Sequence, residues 1–258
     1  MLRPYMAMLL VAPVLFSCSS QNVKPPVAEK IPQEVFGNRI DNYFWMRLSD
    51  EQKSATTPDE QTIKVINYLN AENEYTNNVL SHTTELQNTL YNELKGRIKQ
   101  DDESVPYPDN GYYYYNKFSE GKEYPVYYRR KGSVDAADEL LLDVNKIAEG
   151  QKYCSVAGLN VSRDNRYLAY SVDLISRRRY TIHFIDLQTM QPLQDKIENT
   201  SGNIIWAADN KTVFYVSRDP LTLRSDRVFR HHLGKSKAED KEIYFEDDET
   251  FSVILRET

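Results

Sequence analysis

The chain has 258 residues, 40% hydrophobic and 27% charged, a composition that excludes a largely disordered protein and accommodates one or two globular domains. A net charge of -6 leaves no basic surplus to neutralise phosphates, which argues against a nucleic-acid partner and is compatible with cationic substrates. Two cysteines cannot build a disulfide framework, and 19 tyrosines suit sheets whose faces are partly wet.

In chain order, Arg3 and the apolar run Met6 to Phe16 read as a signal peptide, the run being shorter than the ~20 residues of a spanning helix. It ends Leu15-Phe16-Ser17-Cys18, which resembles a bacterial lipobox. Cys18 is therefore the expected lipidation site, and residues 1–18 a lipoprotein signal. Such a protein is exported and held by its acyl chains at a bacterial membrane, facing the periplasm or the cell surface. Residues 19–30 form a polar tether.

Residues 31–102 read as a helical segment. Asp41-Asn42-Tyr43-Phe44-Trp45-Met46-Arg47 carries too many large aromatics for a solvated loop. Thr57-Pro58-Asp59-Glu60 predicts a capping box with Pro in the first helical turn, opening a helix with Val65, Tyr68, Leu69, Tyr75 and Val79 on one face. A second helix is expected from near Thr84, presenting Leu86, Leu90 and Leu94 before Gly96. These faces look built to pack on something else.

From Val105 the hydrophobic period changes from helical to alternating. Tyr112 to Phe118 and Tyr124 to Lys131 read as a hairpin joined through Gly121, followed by a strand at Leu140-Leu141-Leu142. Then the chain repeats itself. Asp164-Asn165 and Asp209-Asn210 each stand between apolar strands, a step of about 45 residues, which is the period of a four-stranded propeller blade. Asp109-Asn110-Gly111 is an earlier copy. Asp and Asn tolerate the turn conformations that fold one strand onto the next, and one such sheet cannot bury its own faces, so blades stack. The expected fold is mainly β: the helical segment, then a partial propeller over 103–258, with blades at about 105–150, 155–197 and 200–246, and Phe251 to Leu255 opening a fourth.

Several stretches resemble one family in order: Asp41 to Arg47, Tyr68-Leu69-Asn70-Ala71-Glu72-Asn73, Gly96 to Pro106, and Gly121-Lys122-Glu123-Tyr124-Pro125. They are similar to the opening of oligopeptidase B (protease II), the branch of the prolyl oligopeptidase family that cleaves short peptides after Arg or Lys. The resemblance implies a seven-bladed propeller that caps an α/β-hydrolase domain, with the N-terminal segment wrapping onto that domain. It implies short basic peptides as substrates, no cofactor, and a Ser-Asp-His triad in a C-terminal domain missing from this chain.

The residues agree that the triad is absent. A nucleophile elbow needs Gly-x-Ser-x-Gly, and no two glycines here lie four apart. No catalytic, cofactor or metal residue is therefore expected, and this chain alone is expected to be inactive. His231 and His232, adjacent on a strand, point to opposite faces and cannot chelate one metal jointly. The acidic runs Asp101 to Glu103 and Glu246 to Glu249, and Arg177 to Arg179, read as solvated turns. Asn160, Asn199 and Asn210 stand in glycosylation-type triplets that the bacterial-looking lipobox makes coincidental, and Cys154 reads as an apolar filler. The alternative is a non-catalytic propeller lipoprotein acting as a binding module, or a truncated gene remnant. Cleavage after Pro is a further option within the peptidases.

Overall fold

The computed structural model describes residues 24–257, so Cys18 and the signal lie outside the described residues. The chain divides into two compact units, with the boundary between Ile98 and Lys99.

The first unit opens with a hairpin that the sequence reading did not anticipate: β1 (Gln33–Val35) and β2 (Arg39–Asp41), antiparallel. Its turn uses left-handed backbone at Phe36, Gly37 and Asn38, and only one of these is a glycine, which hid the turn signal. Phe44–Met46 forms a 3-10 turn, and α1 (Asp50–Ser54) follows with Ser49 and Gln52 making a reciprocal capping box. The long helix α2 (Glu60–Leu80) corrects the expected cap. Asp59, not Thr57, caps it by accepting the Thr62 N–H at 2.7 Å, and Pro58 precedes the cap instead of standing in the first turn. A carboxylate at the positive end of the helix outcompetes the hydroxyl two residues back. α3 (Thr84–Gly96) then runs to the glycine foreseen.

The second unit is β throughout apart from short helical turns. β3 (Tyr107–Asp109), β4 (Tyr112–Lys117), β5 (Val126–Lys131) and β6 (Asp138–Asp143) form a four-stranded antiparallel sheet in sequence order. Asn110-Gly111 joins β3 to β4 with positive φ at both residues, the geometry that matches the twist of a tight hairpin. A short α4 (Val144–Ala148), capped by Asp143, leads to the second sheet.

That sheet has seven strands in sequence order: β7 (Ser155–Val161), β8 (Tyr167–Asp173), β9 (Tyr180–Asp186), β10 (Gln191–Trp206), β11 (Thr212–Arg218), β12 (Ser225–His232) and β13 (Lys241–Phe245). β10 belongs to two repeats at once. Its first part pairs with β9 as far as Thr200, its second with β11 from Thr200 onward, and Gly202 sits at the changeover with φ +89°. Phe251 to Leu255, expected to open a fourth blade, forms no strand. Its backbone reaches Ser225 O from Val253 and Asn203 Oδ1 from Leu255.

Two cores result. Tyr112, Tyr114, Leu141, Leu142 and Val144 pack with Leu168 and Val172 between the sheets. Ala169, Ile182, Phe184, Ile197, Ile204, Trp206, Val213 and Tyr215 fill the second sheet's own interior.

Candidate functional site

The repeated turns interlock. Asn110, Asn165 and Asn210 share left-handed backbone, and each reaches or receives its neighbour. Asn110 Nδ2 donates to Arg163 O at 2.7 Å, Asn165 Nδ2 to Asn110 O at 3.3 Å, and Asn210 Oδ1 accepts the Asp164 N–H at 3.0 Å. Asp164 and Asp209 do the same local work, their carboxylates accepting backbone N–H groups two residues on. The periodicity in sequence is thus a row of hydrogen-bonded turns along one end of the unit.

Successive repeats are pinned through their opening strands. Asn160 and Trp206 hydrogen-bond across the junction of β7 and β10, and the Gly158 backbone lies against Gly202 there. Between the four-stranded sheet and β7 lies a cavity of about 310 Å³. Tyr107, Asp109, Tyr114 and Tyr127 line it from one side, Leu159 and Val161 from the other, with Glu257 at its edge. The Tyr107 and Tyr114 rings stack at 5.7 Å. Burial pushes the phenols of Tyr107, Tyr114 and Tyr127 up, so all three stay neutral. Beside it, Arg129 lies over the Tyr112 ring at 4.1 Å and donates to Glu139 at 2.8 Å and to Asn165 O at 3.1 Å.

His231 has a role that the sequence concealed. It is 1% exposed, with Nδ1 2.6 Å from Asp240 Oδ1 and Nε2 3.0 Å from Asp195 Oδ1. Tyr215 donates to the other Asp240 oxygen at 2.7 Å, and burial with that carboxylate pushes its phenol far up. Asp195 also accepts the Gly234 N–H. The network ties β10 to the β12–β13 connection. Only the burial of both carboxylates reveals it, and no spacing in the sequence marks them as partners of His231.

His232 is exposed, as strand alternation requires. Among the described residues no group of three or more His, Cys, Asp or Glu side chains is arranged to hold a metal ion. His183 stacks on Tyr170 at 5.5 Å, and His82 lies exposed against Val79 O. Arg177 and Arg178 are exposed in a loop whose backbone N–H groups bind Asp173, and Arg179 donates to Asn199. Asp101 to Glu103 are exposed, with Asp102 paired to Lys99. In the second acidic run Glu246 accepts from Tyr244. Cys154 is buried and free.

In the first unit the aromatic segment finds part of its surface. Trp45 donates to Glu29 O, its carbonyl accepts from Gln61 of α2, and the Lys64 ammonium stands 4.7 Å over its ring. The helices remain open. Of the face expected on α2 only Val65 is buried, while Leu69 and Val79 are exposed, and α3 buries nothing: Leu86, Leu90 and Leu94 are 58%, 47% and 62% exposed.

Repeated antiparallel four-strand units, stacked and interlocked at their turns, define a β-propeller domain. The domain family described as "Prolyl oligopeptidase, N-terminal beta-propeller domain" matches residues 23–258. The chain belongs to this family of serine peptidases. It is 39% identical over 95% of its length to dipeptidyl aminopeptidase BI of Pseudoxanthomonas mexicana, covering 35% of that protein. It is 30% identical over 90% of its length to protease 2 of Moraxella lacunata, covering 34% of it. The structure of oligopeptidase B from Leishmania major superposes with a TM-score of 0.75 at 33% identity, over 89% of this chain and 34% of that one. The chain thus spans about a third of the length of the curated relatives it matches, and no part of it corresponds to a catalytic domain.

Proposed function

We propose that this chain is the N-terminal gating part of a serine oligopeptidase that cleaves short peptides after Arg or Lys. The observation that carries the reading is the propeller-domain match running from residue 23 to residue 258. Similarity to protease 2 and to oligopeptidase B supports the specificity. In the complete enzyme a Ser attacks the scissile carbonyl, a His takes and returns the proton, and an Asp orients the His. Those groups belong to a hydrolase domain outside these 258 residues. Residues 103–258 contribute a wall that admits only short peptides, and residues 31–102 a clamp whose exposed leucines pack on the hydrolase. Residues 19–30 act as the tether. Cys18, lipidated, holds the exported protein at a bacterial membrane, which a Cys18→Ser substitution tests through loss of labelled palmitate.

A second reading, dipeptidyl aminopeptidase activity, is favoured by the 39% identity to a protein of that name. One experiment separates them: fluorogenic peptides ending in Arg-Arg, with blocked or free amino terminus, offered to residues 19–258 and to a protein extended to the end of the reading frame. Turnover of the blocked peptide by the extended protein alone supports the endopeptidase. Turnover restricted to the free amino terminus supports the second reading. Turnover by residues 19–258 alone, or silence from both proteins, overturns the gate.

A further inference from the structure

We propose that the cavity between the four-stranded sheet and β7 is a subsite for the cationic end of a peptide, a guanidinium or a primary ammonium group. Its volume of about 310 Å³ matches a single side chain or chain terminus. Its walls are the kind that hold organic cations: the stacked rings of Tyr107 and Tyr114, and Tyr127 beside them, offer neutral π surfaces to a positive charge. Asp109 supplies the counter-charge. Among the described residues its carboxylate takes part in no hydrogen bond and no ion pair, and the hydroxyls of Tyr107 and Tyr127 likewise have no partner.

The neighbouring charges are already answered within the fold. Arg129 is paired with Glu139, and Glu257 at the cavity edge with Arg163 at 2.8 Å. Asp109, exposed at the end of β3 beside the tight Asn110-Gly111 turn, is therefore the charge on the cavity wall that has no partner within the fold. An anion would meet that carboxylate and the negative faces of the rings, so the site selects cations.

That the cation belongs to a peptide rests on the peptidase reading; the cation preference does not. The test is titration calorimetry on the complete protein with N-acetylarginine amide, which carries only a guanidinium, glycylglycine amide, which carries only an amino-terminal ammonium, and neutral N-acetylglycine amide. A charged probe is expected to bind saturably, and whichever one does identifies the source of the cation. Asp109→Asn is expected to weaken it by about tenfold or more, and Tyr127→Leu similarly, with the neutral probe silent. The Asp109 carboxylate makes no bond within the fold, and its backbone pairing with Tyr112 is kept in the variant, so Asp109→Asn keeps the melting temperature. Charged-probe binding unchanged in both variants, or absent in the parent protein, overturns the subsite. Turnover of the Arg-Arg substrate is followed in the same preparation. Turnover without probe binding sinks the subsite alone, and binding lost in Asp109→Asn without turnover sinks the peptidase reading alone.

Discussion

Trp206 donates its indole N–H to the carbonyl oxygen of Asn160 at 3.0 Å, while the Asn160 amide donates to Ile204 O at 3.2 Å, so two side chains lock the opening strands of successive repeats. Trp206 is 3% exposed, stacked on Tyr167 at 6.2 Å and met edge-on by Phe184 at 6.0 Å. Trp206→Phe removes the donor while keeping a smaller aromatic ring in the core. Trp206→Phe is expected to cost about 1–3 kcal/mol, the penalty for an acceptor left without its partner. Trp206→Ala adds a cavity and should cost about 3–5 kcal/mol. Urea unfolding of the complete protein checks both through a lower midpoint, with Phe intermediate between Trp and Ala.

Gly158 tests the same junction from the backbone. A Cβ there would stand 2.0 Å from Gly202 O, and the residue has φ +59°. The clash is with backbone, which cannot swing aside as a flexible side chain can. Gly158→Ala should therefore abolish soluble protein or force β7 and β10 apart. Gly150 is the control, since it has a similar φ of +73° and nothing within 4 Å of its missing Cβ. Gly150→Ala should cost about 1 kcal/mol, the left-handed strain alone. Equal behaviour of the two variants in thermal melts would falsify the close-approach account.

The turns of this junction were readable in the sequence because each repeat must solve the same steric problem. Asp-Asn before an apolar strand recurs where the backbone turns left-handed, and its step sets the blade. The hairpin strands from Tyr112 to Lys131 were equally legible through alternation. The join between repeats was not. β10 runs unbroken through Thr200 and Gly202, because Asn199 and Gly202 take left-handed backbone there without ending the strand, so the second and third repeats share one strand. The N-terminal hairpin was hidden for a related reason: Phe36 and Asn38 adopt positive φ without glycine. The His231 network and the tyrosine cavity depend on residues from distant strands, and neither periodicity nor spacing places those together.

His183 carries a pH signature. Burial, with Lys196 adding to it, holds its imidazole below the usual histidine range, against a smaller opposing influence of Glu198. Below the unfolded value of about 6.5 the unfolded chain binds a proton that the folded chain refuses, so stability falls as pH drops from there to the folded value, then levels. His183→Gln has no such proton. Urea midpoints measured between pH 7.5 and pH 5.5 should fall more steeply for the parent than for His183→Gln; parallel curves would remove His183 from the account.

Leu90 distinguishes a surface that faces solvent from one that serves a partner. In the first unit it is 47% exposed, flanked on α3 by Leu86 and Leu94 at still greater exposure. Residues three or four apart lie on one face of a helix, so the three form a continuous apolar stripe. Nothing within the unit buries them, and Leu90→Asp should leave the helix content of residues 19–258 unchanged by circular dichroism. In the complete protein the same substitution places a charge where the proposed clamp meets the hydrolase domain. Burying a leucine side chain contributes about 1.5–3 kcal/mol, and burying an unpaired carboxylate costs more than that gain. Leu90→Asp is thus expected to lower the complete protein's thermal midpoint and its turnover of the Arg-Arg substrate, with Leu90→Met close to the parent in both. If Leu90→Asp behaves as the parent does in the complete protein, the stripe faces water and the clamp lies elsewhere.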